Sequence, residues 1–293
     1  MGESRQAGRL YVVGTPIGNL GDLSPRAAEA FRACDAVCCE DTRVTGKLLN
    51  YLGISKPLVR CDENVISQRA PELVDHLLTG ETIAFASDAG MPSVSDPGQV
   101  LVDAAREAGV DVEVVPGPSA CVTALVASGI PCEHFFFEGF LPRKHGERVR
   151  RLRELAPIPG ALLFYESPHR VEASLEAIAQ VFPQRVVALC RELTKLHEEV
   201  LRDAAPALLE RVRERDELRG EMVLVVAPPA ADELERMRTF VAVEADEDPN
   251  AALERAVRAA LEAGEPASVI AKRLSQQYSR RKREVYDLVL RLQ

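Results

Sequence analysis

The chain has 293 residues, 46% hydrophobic and 28% charged, the balance of a soluble globular protein with room for two cores. A formal charge of −9 excludes a global attraction to nucleic acid, so any such binding must come from local basic patches. No apolar run approaches membrane-spanning length and residues 1–8 lack a signal-peptide core, so a cytoplasmic protein with no membrane partner is expected.

The first strand is expected at 9–14. Ser24 then caps a helix whose first position is Pro25, where a side-chain acceptor and a preset φ favour a helix start. A short buried strand at 36–39 leads to a helix at 42–52 that Gly53 closes. A third strand at 58–60 precedes a helix ending near Gly80. A buried strand at 82–86, a loop at 87–98 and a helix at 99–108 follow, then a strand at 112–115 and another helix after 116–120. Strands spaced by helix-sized segments predict a mostly parallel sheet covered on both faces. The pattern breaks at 130–134. A second α/β unit then has strands at 135–140, 161–165, 186–191, 199–202 and 221–227, with Ser167-Pro168 opening a helix. The expected domains are 8–132 and 133–230 (both α/β), a linker at 231–249 and three short helices at 250–293. The helical end reads as a helix-turn-helix-like bundle, or as a helical cap or dimerisation element.

Long loops of small residues after parallel strands sit where open α/β sheets place ligands. The loop at 87–98 has Gly90 and Gly98 for sharp bends and Pro92 and Pro97 for stiffness. Loops 14–22 and 116–120 would gather beside it. The first lacks both the G-x-G-x-x-G spacing of a dinucleotide site and the ending of a P-loop. Glu40-Asp41-Thr42-Arg43, Tyr165-Glu166-Ser167-Pro168-His169-Arg170 and the segment 191–199 also follow strands. Asp41 or Thr42 has a simpler reading as a helix cap, which leaves Arg43 unexplained. Basic segments lie at 143–153 and at Arg280, Arg281, Lys282 and Arg283, where the last helix should begin and its dipole disfavours positive charge. The seven cysteines are irregularly spaced without C-x-x-C pairs, so buried thiols are expected rather than zinc ligands.

Seven ordered motifs carry a resemblance: Gly14-Thr15-Pro16-Ile17-Gly18-Asn19, Glu40-Asp41-Thr42-Arg43, Ser87-Asp88-Ala89-Gly90-Met91-Pro92, Pro116-Gly117-Pro118-Ser119-Ala120, Phe140-Leu141-Pro142-Arg143-Lys144, Tyr165-Glu166-Ser167-Pro168-His169-Arg170 and Arg191-Glu192-Leu193-Thr194-Lys195. Over 8–228 the chain resembles the bacterial small-subunit rRNA (cytidine-2′-O)-methyltransferases, a branch of the tetrapyrrole methylase superfamily. The resemblance implies S-adenosylmethionine (SAM) between two α/β domains, a homodimer, and a cytidine of 16S rRNA in the small ribosomal subunit as substrate. It also implies cofactor contacts at Pro16, Gly90, Met91, Pro92, Val94, Ser119, Ala120, Tyr165 and Met222. Corrin and porphyrin methylases carry G-x-G-P-G and Gly-Asp-Pro where this chain has Gly14-Thr15-Pro16-Ile17-Gly18 and Gly90-Met91-Pro92, which argues against a tetrapyrrole substrate.

Methylation of a ribose hydroxyl needs alignment and help with its proton. Glu166 is the first choice as base, with Glu40, Asp41 and His169 behind it, and Lys195 would stabilise oxyanion character. Glu166 has a second reading as the ion-pair partner of Arg170. The expected phosphate contacts are Arg43, Arg143, Lys144, Arg148, Arg151, Arg170, Arg280, Arg281, Lys282 and Arg283, with a solvated helix face as the rival reading for 143–153. A small-molecule tetrapyrrole methylase and an inactive RNA-binding assembly protein are the competing functions.

Overall fold

A computed structural model describes residues 8–93, 96–235, 249–262, 264–278 and 280–292. Strands β1 (Arg9–Val13), β2 (Ala36–Cys39), β3 (Leu58–Arg60), β4 (Ile83–Ala86) and β5 (Asp111–Val115) form one sheet in the order β3-β2-β4-β1-β5. Every pairing in it is parallel. Alternate residues face opposite sides. Val13, Val37 and Ala84 pack under α1 (Pro25–Ala33) and α2 (Thr42–Tyr51) through Ala27, Phe31 and Leu49. Leu10, Val12 and Phe85 pack under α3 (Ile66–Leu78) and α4 (Gly98–Glu107) through Leu73, Leu77 and Leu101. Both faces are therefore covered, as the continuous apolar runs require. Ser24 caps α1 by accepting the Ala27 N–H at 3.1 Å.

The second sheet runs β6-β7-β10-β8-β9, from β6 (Phe135–Phe140), β7 (Ala161–Glu166), β8 (Val186–Arg191), β9 (Glu199–Ala204) and β10 (Met222–Val226). Only β6 and β7 are parallel; the other pairs are antiparallel. On one face α5 (Ala120–Ser128) packs Cys121 and Ala124 against Leu163, Cys190, Val223 and Val225, and Ile17 from the loop after β1 joins that cluster. The expected boundary at 132 lies after α5, whereas α5 shares its core with the second sheet, so the chain crosses between sheets before it. Of α6 (His145–Leu155), α7 (Val171–Val181) and α8 (Ala205–Arg213), α7 packs between the other two and α8 lies on β8 and β9. Ser167-Pro168 does not open α7. The Ser167 carbonyl accepts the N–H groups of both Arg170 and Val171, each at 3.0 Å, which winds a separate turn first.

Residues Met1–Pro228 make one compact unit and Pro229–Gln293 another. Within the second, α9 (Pro249–Glu262), α10 (Ala267–Gln277) and α11 (Lys282–Leu292) surround Leu253, Val257, Ile270, Leu274, Val285 and Val289. The last helix starts at Lys282 rather than Arg280, because the Val285 N–H reaches back to the Arg281 carbonyl and leaves Arg281 outside the helix. Val94 and residues 236–248 of the expected linker lie outside the described residues. Among the described residues no helix is long and apolar enough to cross a membrane.

Candidate active site

The parallel sheet delivers its loops to one edge, and glycines let them touch. Gly14 donates to the Val115 carbonyl at 2.9 Å. A Cβ on Gly14 would sit 2.6 Å from the Gly117 Cα, so both positions require the missing side chain. Gly117 donates its N–H to the Met91 sulfur at 3.1 Å. Thr15 and Gly90 exchange backbone hydrogen bonds at 2.9 and 3.2 Å. Asp96 Oδ1 accepts the N–H groups of Ser93 and Gly98, both at 2.8 Å, and holds Ser93 at φ +70°.

A cavity of about 300 Å³ opens between this edge and the second sheet. Ile17, Gly90, Met91, Ser119 and Ala120 form one wall; Phe140, Tyr165, Leu193, Met222 and Val223 form the other. The Tyr165 ring meets Phe137 and Phe140 edge-on, with centroids 4.7 and 5.8 Å away. Burial pushes its hydroxyl up to about 12, so it stays a neutral donor. Five carboxylate residues line this cavity (Glu40, Asp88, Asp96, Glu166 and Glu221), and among the described residues no lysine or arginine does. A second cavity of about 370 Å³ adjoins it, walled by Pro16, Gly18, Leu20, Leu48, Lys47 and Lys195. The two share Ile17, Ser87, Asp88, Ala89 and Glu221.

Gly90, Met91, Ser119, Ala120, Tyr165 and Met222 all line the first cavity. Pro16 lines the second instead, and Pro92 is buried and lines neither. Glu40 lines the first cavity, and burial followed by the Asp96 charge pushes its carboxyl up. Asp41 is spent on structure: it caps α2 through the Arg43 N–H at 2.8 Å and pairs with the Arg43 guanidinium at 2.6 Å. Those bonds hold its carboxyl far below the ordinary aspartate range. Glu166, the expected base, lines the first cavity but is engaged on both oxygens. Its side chain is fully enclosed, accepting from the Ser167 N–H at 2.9 Å and the Ser174 hydroxyl at 2.5 Å, with Arg170 at 3.4 Å. His169 is exposed and lines neither cavity.

Lys195 donates to Glu192 at 2.8 Å and to Glu221 at 3.1 Å. Burial opposes its charge, but the two carboxylates outweigh burial and hold it above an ordinary lysine, so it is a fixed cation. Its partner Glu192 and its neighbour Thr194 both hold left-handed backbone, at φ +52° and +66°. Such strain in non-glycine residues persists only where the surroundings impose it.

The basic segment 143–153 divides sharply. Arg148 is only 4% exposed and donates to the carbonyls of Pro142 and Arg143 at 3.1 and 2.7 Å, so it builds the turn rather than meeting phosphate. Arg151 is gripped by Glu138 at 2.6 and 2.8 Å, and Arg170 donates to the Leu141 carbonyl at 2.5 Å. Arg43, Arg143 and Lys144 are exposed, as are Arg280, Arg281, Lys282 and Arg283 in the helical unit. Sequence reasoning missed Lys47, Asp88, Asp96, Phe140, Leu193 and Glu221. Asp88, Phe140 and Leu193 stand inside the seven motifs and Asp96 inside the loop at 87–98, so position alone pointed to them; Glu221 precedes an antiparallel strand, where no strand-end rule looks. The cysteines expected as buried thiols are buried, apart from the half-buried Cys132.

A parallel sheet and a mixed sheet with a cavity between them define the class, a two-sheet α/β protein with its site at the strand ends. The chain belongs to the tetrapyrrole methylases: residues 9–209 match the family model for Tetrapyrrole (Corrin/Porphyrin) Methylases. It is 45% identical over 219 residues to a Halalkalibacterium halodurans protein named Ribosomal RNA small subunit methyltransferase I, covering 75% of each chain. It is 38% identical to the Streptococcus pyogenes serotype M1 protein of that name, over 97% of this chain and 96% of the relative, so the likeness includes the helical tail. Among solved structures, diphthine synthase shares the fold at TM-score 0.59 and 17% identity, covering 79% of this chain and 95% of that one. The Thermus thermophilus uroporphyrin-III C-methyltransferase complexed with S-adenyl homocysteine does so at TM-score 0.54 and 21% identity, covering 75% and 97%.

Proposed function

We propose that the protein is a SAM-dependent methyltransferase acting on the 2′-oxygen of a cytidine ribose in 16S rRNA of the small ribosomal subunit. The relatives' shared name supports rRNA as the substrate. The carrying observation is the charge division between the adjoining cavities. A pocket lined by carboxylates and, among the described residues, by no lysine or arginine suits a sulfonium cation and repels polyphosphates, whereas the neighbouring pocket holds Lys47 and Lys195. The residues present fit SAM. Ser119 makes no side-chain cap on α5, which leaves first-turn N–H groups at the cavity wall for a polar ligand. Bound there, SAM supplies an electrophilic methyl group.

The chain's own part is to bind, orient and neutralise. Lys195 is held cationic where an acceptor hydroxyl develops negative charge. Phe140, 55% exposed at the cavity, offers a ring face for a nucleobase. Arg43, Arg143 and Lys144 serve as phosphate contacts, with the basic residues of the helical unit beside them in function. A cytoplasmic homodimer completes the reading. Mass mapping of rRNA nucleosides tests it: loss of the gene removes one 2′-O-methylcytidine, and an unchanged nucleoside profile rejects the substrate. Calorimetry on the purified protein adds an independent check, with SAM binding expected without RNA.

A further inference from the structure

The proton of the acceptor hydroxyl needs a destination, and each carboxylate at the site can be tested against its surroundings. Glu166 is enclosed with both oxygens engaged, and Asp41 caps α2 while paired to Arg43. Glu40 lines only the first cavity. Two carboxylates lie on the wall that the cavities share, Asp88 and Glu221. Glu221 is engaged with the Lys195 ammonium at 3.1 Å, so it is already committed to an ion pair.

Asp88 differs from Glu40 in standing on the shared wall and from Glu221 in making no ion pair among the described residues. Its Oδ1 accepts the Asp41 N–H at 3.0 Å, which fixes the side chain, and among the described residues Oδ2 has no hydrogen-bond partner. It follows β4 and stands open in the cleft between the acid-lined pocket and the lysine pocket. We propose that Asp88 is the general base of the reaction, taking the acceptor hydroxyl's proton on Oδ2. The O–H bond breaks with its electrons left on oxygen, the proton goes to the carboxylate, and the oxygen's new bond is to the methyl carbon released by the sulfonium donor. The assignment rests on the methyltransferase reading above.

The surroundings tune the group for this work. Desolvation pushes the Asp88 carboxyl above an ordinary aspartate, and the Asp41 charge adds to that, against the Asp41 N–H and the Arg43 guanidinium. The charged groups that share the two cavities or the corner with it are Glu40, Asp41 and Arg43 from the β2–α2 corner, Lys47 from α2, Asp96 from its own loop, and Glu166, Lys195 and Glu221 from the second sheet's side. A raised pKa makes a carboxylate a stronger base, and the fixed cation at Lys195 favours the alkoxide that forms as the proton leaves.

The test is D88N, which keeps an oxygen for the Asp41 N–H. Expected are SAM and small-subunit RNA affinities within about threefold of the wild type, with single-turnover methylation slowed about 10²-fold or more. The wild-type rate should fall on the acid side with an apparent pKa above the ordinary aspartate value, and D88N should lack that limb. Carbon-13 NMR of the SAM-free protein should show a raised aspartate titration that D88N removes. Wild-type turnover in D88N overturns the assignment. So does a larger loss in E40Q, which moves the base to Glu40. Loss of SAM affinity together with activity in D88N makes Asp88 a wall residue and overturns it too. A wild-type protein that binds no SAM overturns the methyltransferase reading itself, and the NMR titration then reports on Asp88 separately.

Discussion

The two sheets reach the same cavity by different routes. In the first, every strand is parallel, so the loops after β1, β2, β4 and β5 gather at one edge and residues following strands are where a ligand must be. In the second, β10 runs against β7 and β8, pairing Met222 with both Glu166 and Arg191. Its cavity wall therefore mixes residues after strands (Leu193) with a residue before one (Glu221) and those that begin it (Met222, Val223). Parallel topology concentrates a site in its loops, whereas mixed topology spreads it over both kinds of strand end.

The largest test of that contrast falls on the first sheet's edge, where the loops depend on backbone touching backbone. Gly14→Ala places a Cβ 2.6 Å from the Gly117 Cα, with only backbone and the Met91 sulfur to give way. It should cost about 3 kcal/mol in urea unfolding, with loss of SAM binding. Gly53→Ala is the comparison: φ is +64° but nothing lies within 4 Å, so only backbone strain of about 1 kcal/mol is expected. Equal costs would show that the loop edge is looser than this close approach implies.

What was legible follows the same division. The five parallel strands and their covering helices could be read because buried strands alternate with helix-sized segments bearing caps such as Ser24-Pro25. The loops at 14–22, 87–98 and 116–120 could be read because small residues after such strands have few other uses. On the second sheet, Met222 was reached only through family resemblance, and Glu221 was not reached. For Glu166, sequence shows that it lies beside Tyr165, not that Ser174, eight residues later on α7, turns back to bind it. Arg148 failed for a similar reason: a basic run gives no sign of which guanidinium folds inward onto the Pro142 and Arg143 carbonyls.

That run supplies the next test. Arg148→Met should destabilise the protein by about 2 kcal/mol, because two part-buried carbonyls lose their donor, while the salt dependence of RNA binding stays unchanged. Arg143→Ala and Lys144→Ala should do the reverse. Stability should hold within about 0.5 kcal/mol, and the slope of log affinity against log salt should flatten by about 1 for each phosphate left without its cation. Binding isotherms over a salt series, set beside unfolding curves, read both effects. An altered slope in Arg148→Met would return that residue to the interface.

The smallest effect concerns the ion pairs beyond the second sheet's cavity edge. Glu199, at the start of β9, accepts from Arg215 at 2.7 and 2.6 Å and from Arg191 at 3.1 Å. Those bonds, Arg215 first, pull its carboxyl down to about 2. A folded-state pKa below the unfolded value adds stability that is complete above the unfolded pKa of about 4.3 and disappears as pH falls toward 2. The groups are partly open to solvent, so screening holds the expected contribution near 1 kcal/mol. Urea midpoints for the wild type and Glu199→Gln should differ most near neutrality and converge as the acid limb is descended. A gap that stays constant with pH would mean that Glu199 acts by packing, and that this strand pair, like the glycine-bound edge of the first sheet, owes nothing to charge.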